Sequence, residues 1–286
     1  MTPDTAARIR LVGNALIDLV MDLPRWPRED DELRAEGCER RAGGNAANSA
    51  LRLAEAGHQV QLVCALAEDA DGRWLRRRLE RAGVDLSLAR RFADGQTPLS
   101  SVWRLPSRAT RCIVHYRNLP ELPASALTAL DPSDADWLHL EGRNVAALDA
   151  LLRKTGSGNP RCSLELEKPR PGLEALLQRV GWAIVSADYL RHTGEGVEAF
   201  IARLRRQAPQ LRLVCTQGVE GTWLSLPGAA PRHLPPPRRA RSGDSLGAGD
   251  AFIAGLVSAL SCGRSADEAV GQGQRWAVQK IVGRTP

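Results

Sequence analysis

Two short segments carry residue types that could do chemistry. The first, Asp244-Ser245-Leu246-Gly247-Ala248-Gly249-Asp250, runs straight into the apolar stretch 251–260. Glycines at a helix start let backbone N–H groups approach an anion, and the helix dipole adds roughly half a positive charge there. Gly247, Ala248 and Gly249 therefore read as a phosphate cradle, with Asp250 in the same turn. A carboxylate beside bound phosphate would repel it. The pairing makes sense when the carboxylate must take a proton from an attacking hydroxyl. The plainer alternative is a glycine-rich helix start whose Asp250 merely complements the dipole.

The second segment, Ala42-Gly43-Gly44-Asn45-Ala46-Ala47-Asn48, also opens a helix. Asn45 and Asn48 stand one turn apart on one face, and their paired amides can donate and accept as recognition of a polyol requires. The alternative here is an Asn that caps the helix, with Gly for the turn.

Other chemistries are excluded by what is missing. The chain has no G-x-x-x-x-G-K-[ST], G-x-S-x-G or H-E-x-x-H motif. His58, His115, His139, His192 and His233 are dispersed and read as packing or surface residues. Cys38, Cys64, Cys112, Cys162, Cys215 and Cys262 form neither a zinc knuckle nor a C-x-x-C pair, so no metal-ligating set is expected. Most lie in apolar, strand-like stretches, as free thiols of a cytoplasmic protein do. The first hydrophobic run, 9–19, is broken by Arg10, Asn14 and Asp18, too short and polar for a signal peptide or membrane span.

The net charge of +6 also needs a reading, because it could mark a nucleic-acid surface. Only Lys154, Lys168 and Lys280 are lysines, so 39 basic residues less 3 leaves 36 arginines. So uniform a bias points to codon usage. Arg76, Arg77, Arg78 and Arg81 read as the solvated face of a helix, and Arg238-Arg239-Arg241 is a short run interrupted by Ala240. No nucleic-acid or membrane partner is expected.

These motifs must be positioned by a larger frame, and 286 residues with 43% hydrophobic content suffice for one large α/β domain over 1–286. Strands are expected at 9–15, 60–65, 137–140, 162–166, 182–185 and 211–215. Helices are expected at 45–56, 72–82, 145–154, 173–179, 197–207, 248–261 and 265–281. Such alternation implies βαβ units and a doubly wound, mostly parallel sheet flanked by helices. The stretches 32–41, 99–105 and 110–116 suit exposed strands or a flap, and Pro235-Pro236-Pro237 a stiff connector. In an open α/β sheet the ligand lies beyond the carboxyl ends of the strands, where both motifs should fall.

The early GGN-A-x-N and late GAGD-x-F, about 200 residues apart, together resemble the ribokinase (PfkB-type) carbohydrate kinases over nearly the whole chain. Within that family the likeness is strongest to the ketohexokinase (fructokinase) branch. It is carried by Arg25-Trp26-Pro27-Arg28-Glu29-Asp30, Arg40-Arg41-Ala42-Gly43-Gly44-Asn45, Trp137-Leu138-His139-Leu140-Glu141-Gly142-Arg143-Asn144 and Glu165-Leu166-Glu167-Lys168-Pro169-Arg170.

The resemblance implies an ATP-dependent kinase that phosphorylates a hydroxyl of a ketose such as fructose, with Asp250 as general base. Gly247, Ala248 and Gly249 would hold the transferring phosphoryl group, with Arg111 near the phosphates. Asp18, at the end of the first strand, would bind sugar hydroxyls together with Gly44, Asn45, Asn48 and Thr110. Asp30 would reach the sugar of a partner subunit. Thr216, Gln217, Gly218 and Gly221 would line the nucleotide site, assisted by Mg²⁺ and, near Asp244, by K⁺. Strands at about 15–43 and 97–118 would form a small β lid that clasps a second copy as a homodimer.

One departure stands out. Many such relatives carry N-x-x-E, which organises magnesium and phosphate, where this chain has Ser186-Ala187-Asp188-Tyr189. Two alternatives stay open. The same chemistry could act on ribose, a nucleoside, 2-keto-3-deoxygluconate or a sugar phosphate, the last using Arg34, Arg40 and Arg41. A non-catalytic sugar-binding homologue would keep the fold and lose the reaction.

Overall fold

A computed structural model describes residues 6–237 and 244–283 of the chain, so the run Arg238-Arg239-Arg241 lies outside the described residues. Among these residues the main sheet has nine strands: β1 (Arg8–Val12), β4 (Gln59–Val63), β6 (Val84–Asp85), β10 (Trp137–Glu141), β11 (Asn159–Leu166), β12 (Val180–Val185), β13 (Arg212–Thr216), β14 (Thr222–Ser225) and β15 (Arg232–Leu234). Their order is β15-β14-β13-β12-β11-β10-β1-β4-β6. All neighbours run parallel except the β13–β14 and β14–β15 pairs at one edge. A smaller sheet contains β2 (Leu16–Asp22), β3 (Gly37–Gly43), β8 (Leu99–Leu105) and β9 (Thr110–Tyr116), in the order β3-β2-β8-β9. A two-stranded piece joins β5 (Ala65–Ala67) to β7 (Arg90–Phe92).

Among the described residues eight helices complete the frame: α1 (Asn45–Glu55), α2 (Ala70–Arg81), α3 (Ala124–Thr128), α4 (Val145–Leu152), α5 (Ala187–Thr193), α6 (Val197–Gln207), α7 (Ala248–Ser261) and α8 (Ala266–Ile281). The apolar strand sequences follow from burial on both faces. Within β1, Ile9 and Leu11 point into a cluster with α1, α2, α7 and α8. Val12 points into the opposite cluster, with Leu148 and Leu151 of α4 and Phe200 and Leu204 of α6. The sheet is doubly wound. Helix α7 is buried along most of its length, which its nearly unbroken apolar sequence requires.

Three expectations need correction. Residues 173–179 do not form an α-helix; Glu174–Gln178 make a 3₁₀ turn, because Pro169, Pro171 and the left-handed Gly172 keep the first half of this crossover out of helix. The stretch 32–36 is irregular, and the strand begins only at Gly37. Asp18 does not end the first strand: that strand stops at Val12, and Gly13-Asn14 turn the chain so that Asp18 lies in β2 of the smaller sheet.

The position of the crevice follows from topology. From β1 the chain steps to β4 on one side and later to β10 on the other. The order therefore reverses between β1 and β10, and such switch points open a ligand crevice at the strand carboxyl ends. The side chain of Glu141, the last residue of β10, bridges this gap: its Oε2 accepts the Asn14 backbone N–H at 2.7 Å.

Candidate active site

Both glycine motifs open helices at this crevice. Gly44 precedes α1 with φ 97°, and a Cβ there would lie 2.6 Å from the Asn14 carbonyl oxygen. That carbonyl accepts the Ala47 N–H at 3.1 Å, tying the helix start to the turn after β1. Gly44→Ala should therefore cost about 2 kcal/mol or more in urea unfolding, from the disfavoured φ plus the clash. Gly247, with φ 76°, makes the corresponding left-handed entry to α7.

Neither asparagine caps its helix. Asn45 Nδ2 donates to Glu165 Oε1 at 3.0 Å, and Asn48 Nδ2 donates to Asp250 Oδ2 at 2.8 Å. Ser49 Oγ donates to the Asp250 carbonyl at 3.1 Å, so α1 and α7 are locked together at their amino ends. Asp250 is not a solvated complement to the dipole either; it is 9% exposed. Burial pushes its carboxyl up to about 7, and the nearby charges of Glu167, Glu141 and Asp18 push the same way against the Asn48 hydrogen bond.

Asp18 faces the same crevice from the smaller sheet. It is buried, and burial raises its carboxyl pKa despite a hydrogen bond with Ser100 and the charge of Arg41. Asp18 pairs across the strands with Arg41 and Ser100. A Cβ on neighbouring Gly43 would collide with its carboxylate, which explains the glycine there. Together with Asn48 and Gly247, Asp18 lines a cavity of about 710 Å³.

The smaller sheet also grips the loop before α7. Asp244 accepts Arg41 Nη1 at 2.8 Å and Arg104 Nη1 at 2.7 Å, with Lys280 Nζ at 3.6 Å. Burial alone would raise the Asp244 carboxyl, but Arg41, the Leu246 N–H, Lys280 and Arg104 bring it below the usual range. Three side-chain cations already surround this carboxylate, and that arrangement does not fit an added K⁺. Arg111 Nη1 donates to Ser245 Oγ at 2.6 Å, which puts it beside the phosphate cradle.

The remaining expected residues are not drawn into the cluster. Asp30 sits exposed in a turn, with φ 61°. Thr110 is exposed at the start of β9 and lines a separate cavity of about 260 Å³ with Arg111 and Ser245. Thr216 ends β13, while Gln217, Gly218 and Gly221 form the following turn, closed by Gln217 N–H to the Gly221 carbonyl at 2.8 Å. They share the carboxyl edge of the sheet with the cluster but make no hydrogen bond to it among the described residues.

Several residues at the site carried no assigned role beforehand. Glu141 ends β10, Glu165 is the last but one residue of β11, and Glu167 lies just beyond that strand. Arg117 Nη1 donates to Asn14 Oδ1 at 3.0 Å, and Arg143 Nη1 lies 3.8 Å from Glu141 Oε1. A carboxylate closing an otherwise apolar buried strand, as in Trp137-Leu138-His139-Leu140-Glu141, is the signal that marks them.

The family described as pfkB family carbohydrate kinase matches residues 6–283. The chain is 31% identical to a ketohexokinase of Mus musculus over 96% of this chain and 95% of that protein. It is 29% identical to a fructokinase of Klebsiella pneumoniae, covering 89% of this chain and 84% of that one. A ribokinase from Cryptococcus neoformans var. grubii, crystallised with ADP, superposes with a TM-score of 0.78 at 24% identity, covering 96% of this chain and 94% of the other.

Proposed function

The chain belongs to the pfkB family of carbohydrate kinases, and from that premise we propose that it transfers the γ-phosphoryl group of ATP to a hydroxyl of a ketose such as fructose, with Asp250 as general base. The observation that carries this reading is the bond from Asn48 to Asp250. It joins the polyol-type amides of α1 to a carboxylate held in the first turn of α7, beside the Gly247–Gly249 backbone.

Asn48 anchors Oδ2 and leaves Oδ1 for the acceptor hydroxyl. As the acceptor oxygen bonds to the γ-phosphorus, the bond from phosphorus to the bridging oxygen of ADP breaks. The hydroxyl proton passes to Asp250, which a carboxyl titrating near 7 can accept and then release at neutral pH. The backbone N–H groups at the start of α7, with Arg111, stabilise the charge on the transferring group. Asp18, Gly44, Asn45 and Asn48 hold the sugar. Thr216, Gln217, Gly218 and Gly221 line the nucleotide side.

Mg²⁺, when bound, neutralises phosphate charge. The acidic strand ends Glu165 and Glu167 fit such a hard cation and would hold it.

The smaller sheet is read as a lid that closes over the sugar and excludes water. Its outer strand β9 leaves one edge unpaired and exposes Ile113, Val114 and Tyr116. That supports a homodimer through the lid, since unprotected apolar edges rarely persist alone. Among the described residues no helix is long and apolar enough to cross a membrane. The free cysteines suit a cytoplasmic setting.

A screen of ADP release over ketoses, aldoses, nucleosides and sugar phosphates tests the assignment. Turnover should be fastest with a ketose, and ATP hydrolysis without sugar should be far slower. If a sugar raises the melting temperature while no acceptor releases ADP, the chain is a binding protein and the reading fails.

A further inference from the structure

The strand ends facing the phosphate cradle hold more carboxyl groups than a sugar hydroxyl requires. Glu141 and Glu165 are 4% and 6% exposed, Asp250 is 9% exposed, and half-buried Glu167 acts on the charge of all three. Glu165 Oε1 is taken by Asn45, but Oε2 is buried without a hydrogen-bond partner. Leaving such an oxygen unpartnered is costly unless a ligand supplies positive charge or a donor. Among these carboxyl groups Arg143 reaches Glu141, at 3.8 Å, and it is shared with Glu121 at 3.3 Å.

The neighbouring strand end offers nothing in its place. At the end of β12, Ser186 Oγ accepts the Tyr189 N–H at 3.0 Å and donates to the Glu167 carbonyl at 3.4 Å. Tyr189 is buried, with its hydroxyl bonded to Glu174 at 2.9 Å. Asp188 is turned to solvent, where it pairs with Arg191.

We propose that Glu167, backed by Glu165, receives the divalent cation that accompanies the nucleotide, so that the metal port stands at the end of β11 rather than β12. The proposal rests on the kinase reading above. Mg²⁺ keeps several waters and takes one or two carboxylates together with substrate phosphates. That agrees with the absence, among the described residues, of any group of three or more His, Cys, Asp or Glu side chains able to hold a metal by themselves. The ion would arrive with the nucleotide, and the two glutamates would complete its shell.

The test is equilibrium binding of the non-hydrolysable analogue AMP-PNP by calorimetry, with excess MgCl₂ and with EDTA. A parallel measurement follows Mn²⁺ by electron paramagnetic resonance. Wild-type protein should bind the analogue more tightly with metal, and Glu167→Gln should lose roughly 10–100-fold in metal affinity. Glu165→Gln, which keeps an acceptor for Asn45, should lose part of it, and Asp188→Asn none. Without ligand, both Glu variants should melt at or above the wild-type temperature, because a like charge has been removed. Metal gain equal to wild type in both Glu variants would overturn the proposal, as would weaker sugar binding with the metal gain intact. A wild-type protein that binds no AMP-PNP under either condition would instead sink the kinase reading and this one with it.

Discussion

Asp250→Asn should lower kcat by at least about 100-fold in a coupled ADP assay, within the range expected for loss of a general base. The amide has nearly the shape of the carboxylate, and Asn48 can still reach its oxygen, so binding of sugar and nucleotide should change little. Wild-type kcat should rise with pH about a midpoint near 7, because the base acts only when ionised. The variant should lose that limb. Stability moves the other way. The folded carboxyl holds its proton up to about 7, while an unfolded one releases it near the ordinary value of 3.8. Between those values the native state binds more protons, so wild-type stability falls as pH rises through the window. A shift of that size is worth roughly 4 kcal/mol at about 1.4 kcal/mol per pH unit. At pH 8, Asp250→Asn should therefore melt above wild type. Near-normal turnover in the variant would remove Asp250 from the chemistry.

The sequence showed the anchors of this site more clearly than their supports. The two glycine motifs name Asn45, Asn48 and Asp250 because the helix entries need positive φ at Gly44 and Gly247, and at Gly44 the Asn14 backbone also leaves no room for a Cβ. The apolar runs that become β10 and β12 announce a buried parallel sheet for the same local reason. The sequence places Asp18 at the end of the first strand, whereas in the structure it lies on β2 and shares a cavity with Asn48 but not with Thr110. A continuous apolar run does not show that Gly13-Asn14 hand the chain from one sheet to another. The Arg41–Asp244 and Arg104–Asp244 pairs were not legible at all, since contacts between residues so far apart leave no periodicity. The same holds for Glu165, whose meaning depends on Asn45 lying opposite it across the crevice. Thr110 and Asp30 came from resemblance alone, and the structure leaves both exposed.

Asp18→Asn should act on binding where Asp250→Asn acts on turnover. The Asp18 carboxylate lies on β2, facing the cavity shared with Asn48 and Gly247, and Gly43 leaves room for it. A carboxylate can accept two sugar hydroxyls, whereas the amide offers one acceptor and a misdirected donor. Each hydrogen bond to a charged acceptor is worth about 1.5–3 kcal/mol. Losing one and mispairing another should raise KM for the sugar by about 100-fold or more, with a smaller change in kcat. The KM for ATP should hardly move. The carboxyl is also raised by burial, so the wild-type protein without sugar gives up stability as pH climbs above the ordinary carboxylate value. The variant should be spared that part of the decline, visible as a flatter profile of melting temperature against pH. Equal losses of kcat in the two variants, with KM unchanged, would mean that Asp18 supports the base and does not grip the sugar. The separation of binding on β2 from proton transfer on α7 would then be wrong.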